Sequence, residues 1–346
     1  MDNFRHNFLD INGVRLHTAE AGEGPLVVLL HGFPELWYSW RHQLAFLAER
    51  GYHAVAIDQR GYGRSSKFWS PDAYRIGALV DDVVGLIEHL DEGPAVVVGH
   101  DWGAPVAWSA AWLHPENFRG VMGMSVPFSG RALVALPGNP FGEHRPEQFH
   151  AELAGPGHDF YQTYFGTLGP IVDEIEADLA RWVRDLMYSV SGEGLAEAGF
   201  DPTMPCTAEA IRQSAVVIPH RRRMRERFAS PKNFPSWLSE DDLQVFVSEF
   251  ERTGLAGGLN YYRNIDQSWQ DLEPHANRKL EVPSFFLGAE YDIATWWGQE
   301  AIARVEERCS DYRGTVILEG SGHWLQQERP AETNAVLEQF LKEVHG

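Results

Sequence analysis

The chain has 346 residues and a net charge of −20, from 29 Lys and Arg against 49 Asp and Glu. A field of that sign repels phosphate backbones and anionic headgroups, which excludes a charge-driven partnership with nucleic acid or a membrane surface. Hydrophobic residues make up 44% of the chain. That is too many for a disordered protein, and the length suits two domains or one domain with an insertion.

Ile11-Asn12-Gly13-Val14 predicts a two-residue hairpin, because Asn-Gly accepts the positive φ angles of a type I′ turn. Three short apolar runs follow, at Leu26–Leu30, Ala54–Ile57 and Ala95–Val98. Continuous runs without alternation suit strands buried on both faces, as in a parallel sheet covered by helices. Between the last two, Ile76, Leu79, Val80, Val83, Val84, Ile87 and Leu90 mark one face of a helix. Strand, helix, strand at this spacing is a βαβ unit.

From about Ser129 to Arg278 that rhythm stops. Ile171, Ile175, Leu179, Trp182, Val183 and Leu186 read as one helical face, and Ser239-Glu240-Asp241-Asp242 as the capped start of another helix. The strand grammar returns with Val282–Leu287 and Thr315–Leu318, separated by a helical 298–308. A closing amphipathic helix carries Val336, Leu337, Phe340, Leu341 and Val344, with Pro330 near its start. The expected organisation is an α/β core of residues 1–128 and 279–346, with a helical lid of 129–278 inserted.

The third apolar strand runs into Gly99-His100-Asp101-Trp102-Gly103. Small residues two steps either side of a central one allow a sharp strand-to-helix turn, the nucleophile elbow. His31-Gly32-Phe33-Pro34-Glu35 follows the first apolar strand, where such folds take a second oxyanion donor. The backbone N–H groups of Phe33 and Trp102 are the expected pair. Asp292 follows a later strand, and His323, in Gly322-His323-Trp324, follows the last. Nucleophile, acid and histidine in this order, each at the carboxyl end of a strand, is the α/β-hydrolase arrangement. Glu290 competes for the acid role as a loop carboxylate two residues away. The position after the strand next to the elbow helix, Ser125-Val126-Pro127-Phe128, has no carboxylate. Asp292 is therefore preferred.

Asp in place of Ser at the elbow changes the chemistry. A carboxylate attacking a saturated carbon leaves an ester that water can cleave, whereas Ser would leave an inert ether. Epoxides and alkyl halides both fit. An epoxide oxygen stays on the product and needs a proton or strong hydrogen bonds, which phenols supply. The insert offers Tyr161, Tyr164, Tyr261 and Tyr262.

With Asp58-Gln59-Arg60-Gly61-Tyr62-Gly63-Arg64-Ser65-Ser66 added to these motifs, the sequence resembles the α/β-hydrolase-fold epoxide hydrolases over nearly its whole length, and most the bacterial B-type of mycobacteria and actinobacteria. The resemblance implies an inserted cap over a mostly parallel sheet, with Asp101 as nucleophile, His323 as base and Asp292 orienting it. It implies Tyr161 and Tyr262 as donors to the epoxide oxygen, Tyr164 and Tyr261 as packing residues, and a cis peptide before Pro34. It implies no cofactor and no metal, and His-Glu-x-x-His and Cys-x-x-Cys motifs are absent. The chain departs from the family at Gly166-Thr167-Leu168-Gly169-Pro170, where Gln-x-Pro-Gly is frequent. That departure concerns the lid loop and its substrate contacts. A product 1,2-diol is expected, with Phe33, Trp37 and Trp102 lining an aromatic pocket for lipophilic epoxides.

Three rival readings are a haloalkane dehalogenase with the same nucleophile, a non-catalytic ligand-binding relative of the same fold, and a carboxylesterase. Phe33 stands where dehalogenases often have a polar halide donor. All three catalytic positions are filled, against a non-catalytic role, and the elbow lacks Ser. The basic run His220–Arg227 reads as a solvated lid segment. Cys206 and Cys309 are too few for a disulfide framework. Met1-Asp2-Asn3-Phe4-Arg5-His6 lacks a signal-peptide pattern, and no apolar run reaches the roughly 18 residues of a membrane span. A cytoplasmic enzyme is expected, acting on a small molecule and without nucleic-acid or membrane partners. A homodimer is compatible with such folds, although no sequence feature specifies it.

Overall fold

In the computed structural model, which describes residues 4–346, the chain opens with the antiparallel hairpin β1 (Arg5–Ile11) and β2 (Val14–Ala21). Asn12 and Gly13 have φ of 51° and 78°, as a type I′ turn requires. Met1–Asn3, the first part of the stretch read for a leader, lie outside the described residues. The remaining sheet strands are β3 (Leu26–Leu30), β4 (His53–Asp58), β5 (Ala95–His100) and β6 (Phe118–Met124). After a long insertion with its own two-stranded ribbon, β7 (His158–Phe160) and β8 (Val217–Pro219), come β9 (Ser284–Ala289) and β10 (Tyr312–Leu318).

The eight-stranded sheet has the order β1-β2-β4-β3-β5-β6-β9-β10. It is antiparallel through β4 and parallel from there on. Every residue of β3, β4, β5 and β9 is buried, which explains their unbroken apolar runs. The crossover from β3 to β4 runs opposite in direction to those from β4 to β5 and β5 to β6, and right-handed connections then place their helices on opposite faces. Helices Arg41–Glu49 and Pro330–His345 pack together against one face, and Ile76–Leu90 and Gly103–Leu113 against the other.

The stretch between β6 and β9 is mainly helical. One expectation for it needs correction. The apolar positions from Ile171 to Leu186 lie on two helices, Pro170–Glu176 and Leu179–Ser189. Asp178 interrupts them with an extended φ of −165°, and its side chain accepts from the Arg181 N–H as an N-cap. The ribbon of β7 and β8 has no counterpart in the sequence reading either, because three-residue strands are too short to show a period. Ser239 and Asp242 form the expected reciprocal cap of Glu240–Thr253. Among the described residues no helix is long and apolar enough to cross a membrane.

Candidate active site

The chain turns from β5 into helix Gly103–Leu113 through Asp101, whose φ is +49°. Left-handed backbone costs a non-glycine residue on the order of 1–3 kcal/mol, and here it aims the carboxylate out of the sheet's edge. The turn closes only because Gly99 and Gly103 lack side chains. A Cβ on Gly99 would lie 2.0 Å from the Gly103 carbonyl oxygen, and one on Gly103 would lie 2.0 Å from that of Leu30.

Asp101 Oδ1 accepts from the Phe33 N–H at 2.7 Å. Phe33 follows β3, and the Phe33–Pro34 peptide is cis. Asp101 Oδ2 faces His323 Nε2 at 3.5 Å. The two carboxylate oxygens therefore meet different surroundings.

His323 Nδ1 lies 2.9 Å from Asp292 Oδ1. Asp292 is fully buried and caps helix Ile293–Trp297, accepting from the N–H groups of Ala294 and Thr295 and from the Thr295 hydroxyl at 2.8 Å. Burial works against its charge, but His323 and these donors outweigh that and lower its pKa. For His323, burial disfavours the imidazolium, yet the Asp292 and Asp101 carboxylates together hold its pKa well above the usual histidine range. The rival acid, Glu290, accepts from the Gly320 N–H at 2.8 Å in an exposed loop. At the second rival position, the Ser125 hydroxyl stands 3.1 Å from His323 Nδ1, carried by a residue with φ of 69°.

Tyr161 and Tyr262 come from the insertion, on helices Tyr161–Gly166 and Ala256–Arg263. Their rings are 6.1 Å apart, and Tyr262 also meets Phe33 and Trp102 edge-on. The Tyr161 oxygen accepts from the Gln162 amide at 3.1 Å. Burial, reinforced by the Asp101 charge, pushes both phenols far above their ordinary pKa, so both are neutral O–H donors. Tyr164 points elsewhere, donating to the buried Glu174 at 2.6 Å, and Tyr261 donates to the Arg60 carbonyl at 3.0 Å.

Phe33, Asp101, Trp102, Tyr161, Tyr262, Asp292 and His323 all line one cavity of about 90 Å³, whose walls also include the apolar side chains of Val126, Phe165, Leu186 and Trp297. Trp37 is not among the residues that line it. The expectation of a substrate contact there is replaced by packing: Trp37 sits edge-on to Phe4, His6 and Tyr38, and its backbone N–H donates to Asp58 at 3.1 Å.

Two residues quoted in the motifs have a larger part than the sequence suggested. His100 bridges the fully buried Glu35 carboxylate at 2.7 Å and the His323 carbonyl at 2.7 Å. Glu35 also accepts from the Gly32 N–H, beside the oxyanion donor. Burial would raise its carboxyl, but the His100 ring overcomes this and holds it near 2. The network ties the Phe33 turn to the His323 loop. Adjacency of His100 to Asp101 was the available signal; the partner across the sheet was not.

Residues 25–153 match the family model described as alpha/beta hydrolase fold. The chain is 49% identical to epoxide hydrolase B of Mycobacterium tuberculosis, over 97% of this chain and 98% of that one. It is 40% identical to epoxide hydrolase A of the same organism, over 96% of each. Among solved structures, an epoxide hydrolase from an endophytic Streptomyces superposes with a TM-score of 0.90 at 40% identity, covering 100% of this chain and 97% of that one.

Proposed function

As the chain belongs to the α/β-hydrolase-fold epoxide hydrolases, we propose that Asp101, His323, Asp292, Tyr161 and Tyr262 carry its conversion of an epoxide and water to a 1,2-diol. The observation that carries this reading is the split surroundings of Asp101. One oxygen is held on a backbone N–H and the other faces the histidine, beneath two neutral phenols. Residues 129–278 form the lid that brings both phenols in.

In the first step Asp101 Oδ2 attacks a ring carbon and the carbon–oxygen bond of the epoxide breaks. The Tyr161 and Tyr262 hydroxyls donate to the leaving oxygen as its charge develops. Burial and the Asp101 charge keep both phenols protonated, so each donates a hydrogen bond without a resting phenolate. Oδ1 remains on Phe33 N–H as the carbonyl oxygen of the new ester.

Ester formation also changes the base. The Asp101 charge helps to keep His323 protonated; esterification removes that charge and lowers the histidine's pKa. His323 gives its proton to the alkoxide oxygen of the opened ring and, now neutral, accepts a proton from water, which attacks the ester carbonyl. Asp292 holds Nδ1–H and leaves Nε2 as the acceptor. The oxyanion rests on the N–H groups of Phe33 and Trp102; its collapse breaks the Cγ–Oδ2 bond, His323 returns the proton to the departing diol oxygen, and the new carboxyl then protonates His323 and is restored to a carboxylate. The apolar, aromatic lining supports small lipophilic epoxides as substrates. The two free cysteines support a cytoplasmic setting.

The test is turnover of styrene oxide by the purified chain. Diol should form and should vanish with Asp101→Ala. A single turnover in ¹⁸O-water should give a first diol whose new oxygen is unlabelled, since it comes from Asp101. Label in that diol would exclude the ester route.

A further inference from the structure

Glu328 has no part in the chemistry above, yet its carboxylate joins two segments that border the cavity. Oε2 accepts from the N–H groups of Gly322 at 2.9 Å and Gly192 at 3.0 Å, and Oε1 accepts from the Trp324 N–H at 3.0 Å. Gly322 and Trp324 flank His323. Gly192 belongs to the insertion, next to Leu186 and Val190 of the cavity wall. No Lys or Arg pairs with Glu328 among the described residues, so its charge is met by backbone N–H groups.

The same two segments are joined at three further points. The His323 N–H donates to the Val190 carbonyl at 3.0 Å, and the Trp324 indole to that of Met187 at 2.7 Å. Gly192 and Gly322 cross so closely that a Cβ on Gly322 would lie 2.0 Å from the Gly192 nitrogen. Among the described residues, Glu328 is the only side chain that accepts from the backbone on both sides of the histidine and from the insertion.

Resting on the proposed roles of Asp101 and His323, we propose that Glu328 is a positioning residue for ester hydrolysis. It clamps the His323 loop to the 187–192 segment, keeping the base in register with the Asp101 ester while the rest of the lid admits substrate. Burial raises the Glu328 pKa, and the three N–H donors and His323 act against that rise.

The clamp separates the two chemical steps, because attack by Asp101 does not use His323 as a base. Glu328→Ala and Glu328→Gln, in the full chain, are mixed with styrene oxide and quenched at intervals. The intact-protein mass reports the ester, and diol release reports its hydrolysis. The expected result is ester formation within about twofold of the parent and hydrolysis slowed roughly tenfold or more, since small displacements of a catalytic group carry costs of that size. Gln keeps one acceptor oxygen and should fall between Ala and Glu, so ester accumulates in that order. Unchanged hydrolysis in both variants overturns the clamp. So does an equal loss in both steps with a lowered melting temperature, which is the signature of a general structural role. His323→Ala runs beside them: ester must accumulate there whatever Glu328 does. Its failure to accumulate would overturn the base assignment itself.

Discussion

Replacing the two lid phenols tests the step that distinguishes epoxide opening from other substitutions. In Tyr161→Phe the ring keeps its contacts with Phe165, Trp297 and Tyr262. The hydroxyl loses one hydrogen bond, from Gln162, so the fold should lose only about 1 kcal/mol. The transition state loses more. A hydrogen bond to a group gaining charge contributes about 1.5–3 kcal/mol, which is about a 10- to 150-fold slower attack by Asp101 for each single variant. In Tyr161→Phe/Tyr262→Phe neither donor remains, and the loss should reach roughly 10³-fold or more. Ester hydrolysis should be nearly unchanged, since the oxyanion donors and His323 are untouched. Stopped-flow tryptophan fluorescence, with Trp102 and Trp297 at the cavity, reads the first step in a single turnover. The reasoning fails if both single variants form ester within twofold of the parent rate, or if hydrolysis slows as much as attack.

Asp101→Asn should lower the pKa of His323, because one of the two carboxylates that raise it becomes neutral; an NMR titration of the ring nitrogens that shows no downward shift would remove the proposed switch from cation to base. Asp292→Ala should leave ester formation in place and slow hydrolysis by about 10³–10⁴-fold, as loss of the histidine's orienting acid does in related constellations; rapid diol release would reassign the acid, with Glu290 as the next candidate. Gly103→Ala should destabilise by about 3 kcal/mol, since its Cβ would meet the Leu30 carbonyl at 2.0 Å; thermal melting should fall by roughly 4 °C, and an unchanged midpoint would mean that the elbow relaxes easily. A bromoalkane should give no halide release, because Phe33 offers no side-chain donor to a leaving halide; release at a rate comparable with styrene oxide turnover would favour the dehalogenase reading.

Local sequence carried much of the architecture and the order of the chemistry. The Asn12-Gly13 turn, the four all-buried strands and the Ile76–Leu90 helix are written in conformational preference and period, which act between near neighbours. Asp101 was legible because a strand-to-helix turn this tight demands glycines at fixed offsets. Its identity as Asp specified ester chemistry on saturated carbon. Tertiary structure decided what depends on residues distant in sequence. It broke the 171–186 pattern at Asp178, since a capping side chain and a change of packing partner override a continuous apolar face. It moved Trp37 away from the cavity and into the β1–β2 side of the sheet. It brought Tyr161 and Tyr262, the pair that the resemblance implies, to the cavity of Asp101, while Tyr164 meets Glu174 and Tyr261 meets Arg60. It also joined Glu35 to His100 and Glu328 to Gly192, 65 and 136 positions apart. Such contacts form only when the chain has folded, so no period or motif records them.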